Sequence, residues 1–88
     1  SLDGSGGLEI GSNCSIAVGS HIFSHDTVKW ALSGGKEKYE YAKTIIEDNC
    51  YIAPNVIIQK GVRIEKGSII GANSFVNKDI PARLLEHL

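Results

Sequence analysis

The sequence predicts an all-β fold in which short strands wind into a prism-like solenoid. Two sets of residues, which we call columns because each recurs every six positions, support this prediction. Aliphatic residues recur every six positions in one shared phase, on both sides of a central interruption: Ile10, Ile16, Ile22, Ile46, Ile52, Ile58, Ile64, Ile70 and Val76. Four residues later, mostly small or β-branched residues recur: Cys14, Ser20, Cys50, Val56, Val62, Ser68, Ser74 and Ile80. A sustained period of six fits neither an ordinary strand nor a helix. It fits flat faces that each turn one large residue inward, with small residues at the corners.

Three such six-residue repeats, or hexads, complete one triangular coil. This rule predicts the order of coils and loop along the chain. Residues 10–27 form a first coil, residues 28–43 a protruding loop, and residues 44–61 and 62–79 the second and third coils. Glycine and asparagine recur at the expected corners, where the backbone needs unusual angles. A sandwich or barrel is the alternative, but it would show turn signals every 8–12 residues. The shared phase on both sides of the loop favours the solenoid.

The solenoid domain is predicted to span residues 8–81. Residues 1–7 are expected to be a disordered or engineered start, because the chain begins at Ser1 and contains no methionine. Residues 82–88 are expected to form a short C-terminal cap. Its apolar side chains would make a helical lid over the open end of the prism: Leu84, Leu85 and Leu88.

Composition limits the partners that the chain can be expected to have. The net charge of −1 over 88 residues gives no electrostatic reason to expect nucleic acid or an anionic membrane. No apolar run approaches the roughly 18 residues of a membrane span. Cys14 and Cys50 form no metal or redox motif and should stack inside the prism. A disulfide is conceivable at that spacing, but two reduced core thiols in a cytoplasmic protein are favoured.

The loop at 28–43 differs in composition from the coils around it. It contains three of the six aromatic residues of the chain, namely Trp30, Tyr39 and Tyr41, and four lysines. Ser33-Gly34-Gly35 gives it a turn. Loops that project from a rigid scaffold often carry function. The simpler alternative, in which the aromatic side chains only pack against the prism, stays open at this point.

The repeat also carries a resemblance to a known family. The run "IEDNCYIAPNVIIQKGVRIEKGSIIGANSFVNKDIP", residues 46–81, resembles the hexapeptide-repeat acyltransferases, and "IIGANSFVNKDIP" is similar to a stretch of the sugar O-acetyltransferase branch. The resemblance implies a left-handed parallel β-helix, a homotrimer, and transfer of an acetyl group from acetyl-CoA to a hydroxyl of a sugar or glycan acceptor. The left hand follows from the resemblance alone, because crossover sterics favour the opposite hand. Members of the family are longer, so the chain looks like a truncated C-terminal portion.

His25 is the candidate catalytic residue. It stands just before the loop and three residues after the inward Ile22, so it should lie on the outside of the prism. By spacing alone it is an ordinary surface histidine, but "FSHD" resembles the context in which the family carries its catalytic base. A neutral imidazole suits proton removal from a hydroxyl near pH 7. Asp26 would orient His25 or cap the turn that begins the loop; the cap is favoured, because neighbours on a strand point to opposite faces.

The resemblance further implies where the two substrates bind. In the family, acetyl-CoA lies in the groove between neighbouring prisms, and the matching positions are Tyr51, Ala53, Pro54, Gly71, Ala72, Asn77 and Lys78. Small residues permit close approach of a ligand, and a lysine supplies a point charge near a phosphate. The simpler alternatives are a tight corner at Gly71 and Ala72 and a solvated Lys78. Asp26 and Trp30 are candidate acceptor contacts.

Two further possibilities compete with catalysis by His25. His21 invites a zinc site, but a catalytic zinc usually needs three protein ligands, and His87, the third histidine, lies far along the chain; no metal is predicted. The second possibility is a catalytically inactive structural or assembly trimer of the same fold, or a fragment that retains only the coenzyme-binding half. The "FSHD" context and Lys78 argue for the enzyme.

Overall fold

The computed structural model describes residues 1–82, so the expected helical lid of leucines near the C-terminus lies outside the described residues. Eleven short strands and one short helix occur in this part of the chain. The helix belongs to the loop, and the strands are two or three residues long. In chain order the elements are β1 (Leu8–Ile10), β2 (Ser15–Ile16), β3 (His21–Ile22), β4 (His25–Asp26), α1 (Val28–Leu32), β5 (Glu40–Tyr41), β6 (Thr44–Ile46), β7 (Tyr51–Ile52), β8 (Ile57–Ile58), β9 (Arg63–Ile64), β10 (Ile69–Ile70) and β11 (Phe75–Val76).

Nine of these strands form three parallel sheets, which are the faces of a triangular prism. Face 1 is β1-β6-β9, face 2 is β2-β7-β10 and face 3 is β3-β8-β11. The register pairs the repeat residues of successive coils, as in Ile16 with Ile52 and Ile52 with Ile70. The other two faces pair in the same way. The predicted fold class is therefore confirmed: the chain is an all-β, left-handed parallel β-helix.

The interior of the prism holds the two predicted columns. The central repeat residues are at most 1% exposed: Ile22, Ile46, Ile52, Ile58 and Ile64. Serines fit inside because their hydroxyls are satisfied: Ser20 Oγ donates to the carbonyl of Ala53 at 2.8 Å and accepts the N–H of Val56. Burying a hydroxyl without such partners would cost free energy. Small residues such as Ser20 therefore fit the limited space inside the corners, and their hydroxyl groups are hydrogen-bonded there.

Most corners of the prism contain a residue with left-handed backbone, either asparagine or glycine. The four asparagines in question have φ between 58° and 62°: Asn13, Asn49, Asn55 and Asn73. Asparagine tolerates this region better than other residues with a Cβ. At Gly11, lack of space requires a glycine, because a Cβ there would lie 2.2 Å from Asp48 Oδ1 and 2.8 Å from the backbone nitrogen of Asp48.

Residues 1–7 differ from the expectation of a disordered start. Leu2 pairs in parallel with Ile22. The N–H of Ile22 donates to the carbonyl of Ser1, and the N–H of Asp3 donates to the carbonyl of Ile22, both at 2.9 Å. The physical reason is that β3 would otherwise leave a free strand edge on face 3, and unpaired backbone groups favour a partner. The segment therefore continues face 3 below the first coil.

The protruding loop leaves the prism at the corner between face 3 and face 1. Its stem is the antiparallel pair β4-β5, in which His25 faces Tyr41 and Asp26 faces Glu40. The paired stem thus begins before the predicted loop boundary at residue 28. Gly34 and Gly35 both have positive φ, as a tight turn requires. Where the chain rejoins the prism, the buried Thr44 hydroxyl donates to the carbonyl of Phe23 at 2.6 Å.

No helix in residues 1–82 is long and apolar enough to cross a membrane.

Candidate active site

His25 stands at the base of the loop, where the first coil would otherwise turn from face 3 into face 1. Its Nδ1 lies 2.5 Å from Oδ2 of Asp3 and 3.1 Å from the hydroxyl oxygen of Ser5. About 30% of the imidazole side chain is exposed. Asp3 and Ser5 both come from the segment that was expected to be disordered. Sequence reasoning missed them because this segment shows no hexad: Leu2 precedes Ile10 by eight residues instead of six.

The Asp3 carboxylate is held by more than the histidine. It accepts the N–H of Ser24 and the N–H of Ser5, both at 3.0 Å. These two backbone hydrogen bonds, followed by those from the Ser5 hydroxyl and His25, hold the pKa of Asp3 well below its usual value. An ionised carboxylate can only accept hydrogen bonds, so the neighbouring Nδ1 of a neutral His25 must be the nitrogen that carries the proton. Nε2 is then the free acceptor, which is the atom a general base uses.

Aromatic rings surround the imidazole on the loop side. The ring of Tyr41, opposite His25 in the stem, has its centroid 5.9 Å away, and that of Tyr39 is 6.3 Å away. Trp30, on α1, contacts Tyr39 edge-on at 5.9 Å. The predicted acceptor residue Trp30 therefore belongs to the same aromatic cluster as His25, but reaches it through Tyr39.

Asp26 performs a different task from Asp3. Its carboxylate pairs with Lys60 Nζ at 2.6 Å and accepts the N–H of Val28 at 3.2 Å. The ion pair lowers the pKa of Asp26 and raises that of Lys60. Asp26 thus caps the first turn of the loop and ties it to the second coil. This geometry corresponds to the turn-capping alternative, because Asp3 and not Asp26 contacts the His25 ring.

A groove of about 300 Å³ adjoins His25, and we call it the acceptor groove. Phe23 at its base is fixed by donating its N–H to the carbonyl of Ile58, and Gln59, one coil above, donates its N–H to Val76. Both side chains follow the inward residues of face 3, so they project outward at the same corner. The lining residues are Phe23, His25, Asp26, Thr27, Val28 and Gln59.

The residues predicted to bind the coenzyme lie at two separate corners of the prism. Ala53 and Pro54 lie directly below Gly71 and Ala72, at the corner between face 2 and face 3. We call these four residues the flat wall; Tyr51 is exposed on face 2 just before it. The other two predicted residues lie at the His25 corner, two coils above the base of the loop: Asn77 and Lys78. Within one chain, face 3 separates the flat wall from His25.

The remaining histidine and the two thiols have structural surroundings. His21 Nδ1 lies 2.9 Å from the hydroxyl oxygen of Ser1, and its ring stacks on Phe23. Across residues 1–82, no three His, Cys, Asp or Glu side chains are grouped to hold a metal ion. Cys14 and Cys50 are both free thiols. Cys14 Sγ donates to the carbonyl of Glu47 at 3.0 Å, and burial raises the pKa of the Cys50 thiol.

Comparison with known proteins agrees with this architecture. The family described as bacterial transferase hexapeptide (six repeats) matches residues 43–78. The galactoside O-acetyltransferase of Lactococcus lactis subsp. lactis (strain IL1403) is 41% identical over 71 residues, which are 81% of this chain and 31% of the relative. The bifunctional protein GlmU of Thermodesulfovibrio yellowstonii is 37% identical over 76 residues, or 86% of this chain and 14% of the relative.

A third relative acts on a different kind of acceptor. The 2,3,4,5-tetrahydropyridine-2,6-dicarboxylate N-acetyltransferase of Staphylococcus aureus (strain JH9) is 41% identical over 51 residues, which are 58% of this chain and 21% of the relative. The chain therefore spans at most 31% of the length of these relatives. The repeat register, the family match over residues 43–78 and these relatives together show that the chain contains the hexapeptide repeat of the bacterial transferases.

Proposed function

We propose that the chain carries the catalytic base of an acetyltransferase that moves an acetyl group from acetyl-CoA to a hydroxyl of a sugar or glycan. The observation that carries this proposal is the contact between His25 Nδ1 and the Asp3 carboxylate. Two of the relatives reported above are acetyltransferases. The hydroxyl acceptor draws on the galactoside O-acetyltransferase, which matches more of this chain than the N-acetyltransferase does.

In this mechanism Asp3 keeps the proton of His25 on Nδ1 and leaves Nε2 free. Nε2 removes the proton of the acceptor hydroxyl as its oxygen attacks the thioester carbonyl. The tetrahedral intermediate then releases the thiolate of CoA, and the imidazolium returns its proton to that sulfur. The acetyl group therefore passes directly to the acceptor oxygen without an acyl-enzyme. General-base assistance of this kind contributes roughly 10²–10⁴-fold to the rate.

The proposal includes a homotrimer, because the flat wall and His25 stand at different corners of one prism. Acetyl-CoA would lie in the groove between face 3 of one prism, which ends at the His25 corner, and face 2 of the next prism, which ends at the flat wall. The surface chemistry supports such packing. Face 1 presents charged side chains, among them Glu9 and Arg63, whereas faces 2 and 3 expose apolar ones: Tyr51, Ile57, Ile69 and Phe75.

Exposed apolar faces favour burial against a partner. Face 2 of one chain against face 3 of the next is a head-to-tail contact, which closes into a ring when the rotation is 120°. Such a ring leaves the charged face 1 in water. A cytoplasmic location is also part of the proposal, since free Cys14 and Cys50 agree with a reducing compartment.

The test combines turnover with binding. Acetyl-CoA and a panel of methyl glycosides would be incubated with the protein, and the free thiol that forms would be measured. We expect thiol release that depends on both the glycoside and His25. Binding of acetyl-CoA, measured by thermal shift, separates the proposal from an inactive assembly trimer. A protein that neither binds acetyl-CoA nor releases thiol with any acceptor would favour the inactive trimer.

A further inference from the structure

We infer that the acceptor groove is built for a single uncharged hydroxylated ring, with Phe23 and Gln59 as the residues that hold it. This inference rests on the proposed acetyl transfer and adds to it the class of acceptor and the residues that select it. Three observations carry it: the position of the groove beside His25, the mixed character of its lining, and the absence of an uncommitted charge among its lining residues.

The groove has the position and size for the acceptor. His25 is part of its lining, so a hydroxyl group in the groove lies beside the proposed base. Its volume of about 300 Å³ is at the lower end of small-molecule sites, which run from about 300 to 1,000 Å³. That space suits one sugar ring better than the extended acetyl-CoA molecule, which has the flat wall available elsewhere.

The lining combines apolar and polar groups, as a sugar ring requires. Phe23 and Val28 offer apolar surface on which the C–H face of a ring can rest. Gln59 offers both an amide donor and a carbonyl acceptor, so it can hydrogen-bond a hydroxyl in either direction. Phe23 is braced from behind by the ring of His21, at a centroid distance of 6.2 Å. The Phe23 ring is therefore held in position before a ligand binds.

The charges of the groove cancel each other. Its one carboxylate, that of Asp26, is paired with Lys60 at 2.6 Å, and both side chains are only 22% exposed. The lysines at the two ends of the loop are also paired, Lys29 with Glu40 and Lys43 with Glu9. Among the residues that line the groove, none supplies a free cation to balance a carboxylate-bearing acceptor beside Asp26, and burying an unbalanced charge is costly. A neutral acceptor avoids this cost.

Two methyl glycosides of the same ring size test this selection. Methyl β-galactopyranoside is neutral, and methyl β-glucuronide carries one carboxylate. We expect kcat/KM for the galactoside to exceed that for the glucuronide by at least about tenfold. Removing one hydrogen bond or one stacking contact should raise KM for the galactoside by about tenfold in Gln59→Ala and Phe23→Ala. KM for acetyl-CoA should stay unchanged, and Leu32→Ala, an exposed change on the same loop, should change neither.

A charge change provides an independent arm. Asp26→Asn removes the partner of Lys60 and leaves a cation beside the groove. We expect the ratio of kcat/KM for the glucuronide to that for the galactoside to rise about tenfold. Because both acceptors are measured on the same variant, a general loss of activity through a loosened loop cancels in the ratio.

The outcomes separate the inference from the proposed function. Normal galactoside KM values in both Phe23→Ala and Gln59→Ala, with activity lost in His25→Ala, would overturn the groove assignment and leave the acetyl transfer standing. A wild-type preference for the glucuronide would also overturn it. If acetyl-CoA binds but neither these glycosides nor any other hydroxyl acceptor yields free thiol, the proposed function fails and the inference fails with it.

Discussion

The imidazole Nδ1 of His25 lies 2.5 Å from the carboxylate of Asp3, although the two residues are 22 positions apart in the chain. They meet because Leu2 continues face 3 one coil below β3, which brings the following residue under the base of the loop. The contact sets which imidazole nitrogen carries the proton. It also makes the first residues of the chain part of the candidate site.

Asp3→Asn tests the orienting carboxylate. An asparagine can present its amide N–H to Nδ1 and so favour the tautomer that has its proton on Nε2, where the base is needed. We expect kcat to fall by roughly 10²-fold with little change in the dissociation constant of CoA. Ser5→Ala is the matched control, because it removes the other Nδ1 neighbour and leaves the carboxylate. Equal losses in the two variants would mean that Asp3 has no special role.

The pKa of Asp3 also gives a pH dependence. Its carboxyl titrates well below its ordinary pKa of 3.8 in the folded protein, so the folded state favours the ionised form. This stabilisation is present above the unfolded pKa and is lost as the pH falls through the folded one. We expect the difference in melting temperature between wild type and Asp3→Asn to be largest near neutral pH and to shrink below about pH 4. A difference in melting temperature that is constant from pH 7 to pH 3 would contradict a lowered pKa of Asp3.

The fold was predictable from the sequence because each coil repeats the same requirement every six residues. Nine residues in one phase, such as Ile16, Ile52 and Ile70, specify the faces and the register between coils. The alignment of His25 with the base of the loop followed from that phase. Its role as a base came from the "FSHD" context and not from the spacing.

The partners of the site could not be predicted in the same way. Asp3 lies in a segment without a hexad, and its contact with His25 depends on an extra two residues between Leu2 and Ile10. Lys60 resembles the other lysines of the sequence, and only the stacking of coils places it above Asp26. The helix α1 has five residues, which is too short for a helical period to stand out.

Ile52→Asp tests the register of the core. Ile52 is fully buried between Ile16 and Ile70, and an unpaired carboxylate there costs several kcal/mol or forces protonation. We expect unfolding or a large fall in the melting temperature. Leu32→Asp, at a side chain on the loop that is 84% exposed, should change stability by no more than about 0.5 kcal/mol. A well-folded Ile52→Asp protein with an unchanged melting temperature would show that the assignment of inward-facing residues is wrong.

The proposed trimer gives a prediction about two surfaces. Sedimentation at micromolar concentration should give a trimer for the wild type. Phe75→Asp, on the apolar face 3, should dissociate it, because a charge would replace 58%-exposed apolar surface in the contact. Lys66→Ala, beside the charged face 1, should leave the trimer intact. A monomeric wild-type protein would remove the reason for placing acetyl-CoA between two prisms.

The most direct measurement is the rate of acetyl transfer by His25→Ala beside His21→Ala, with thiol release and CoA binding followed on both. His25 lies outside the hydrophobic core, so its truncation should leave the fold, the trimer and the CoA dissociation constant in place. We predict that kcat falls by roughly 10²–10⁴-fold in His25→Ala, while His21→Ala retains most of its kcat. If His25→Ala transfers acetyl groups to a confirmed acceptor as fast as wild type, His25 is not the base and the account of this site is wrong.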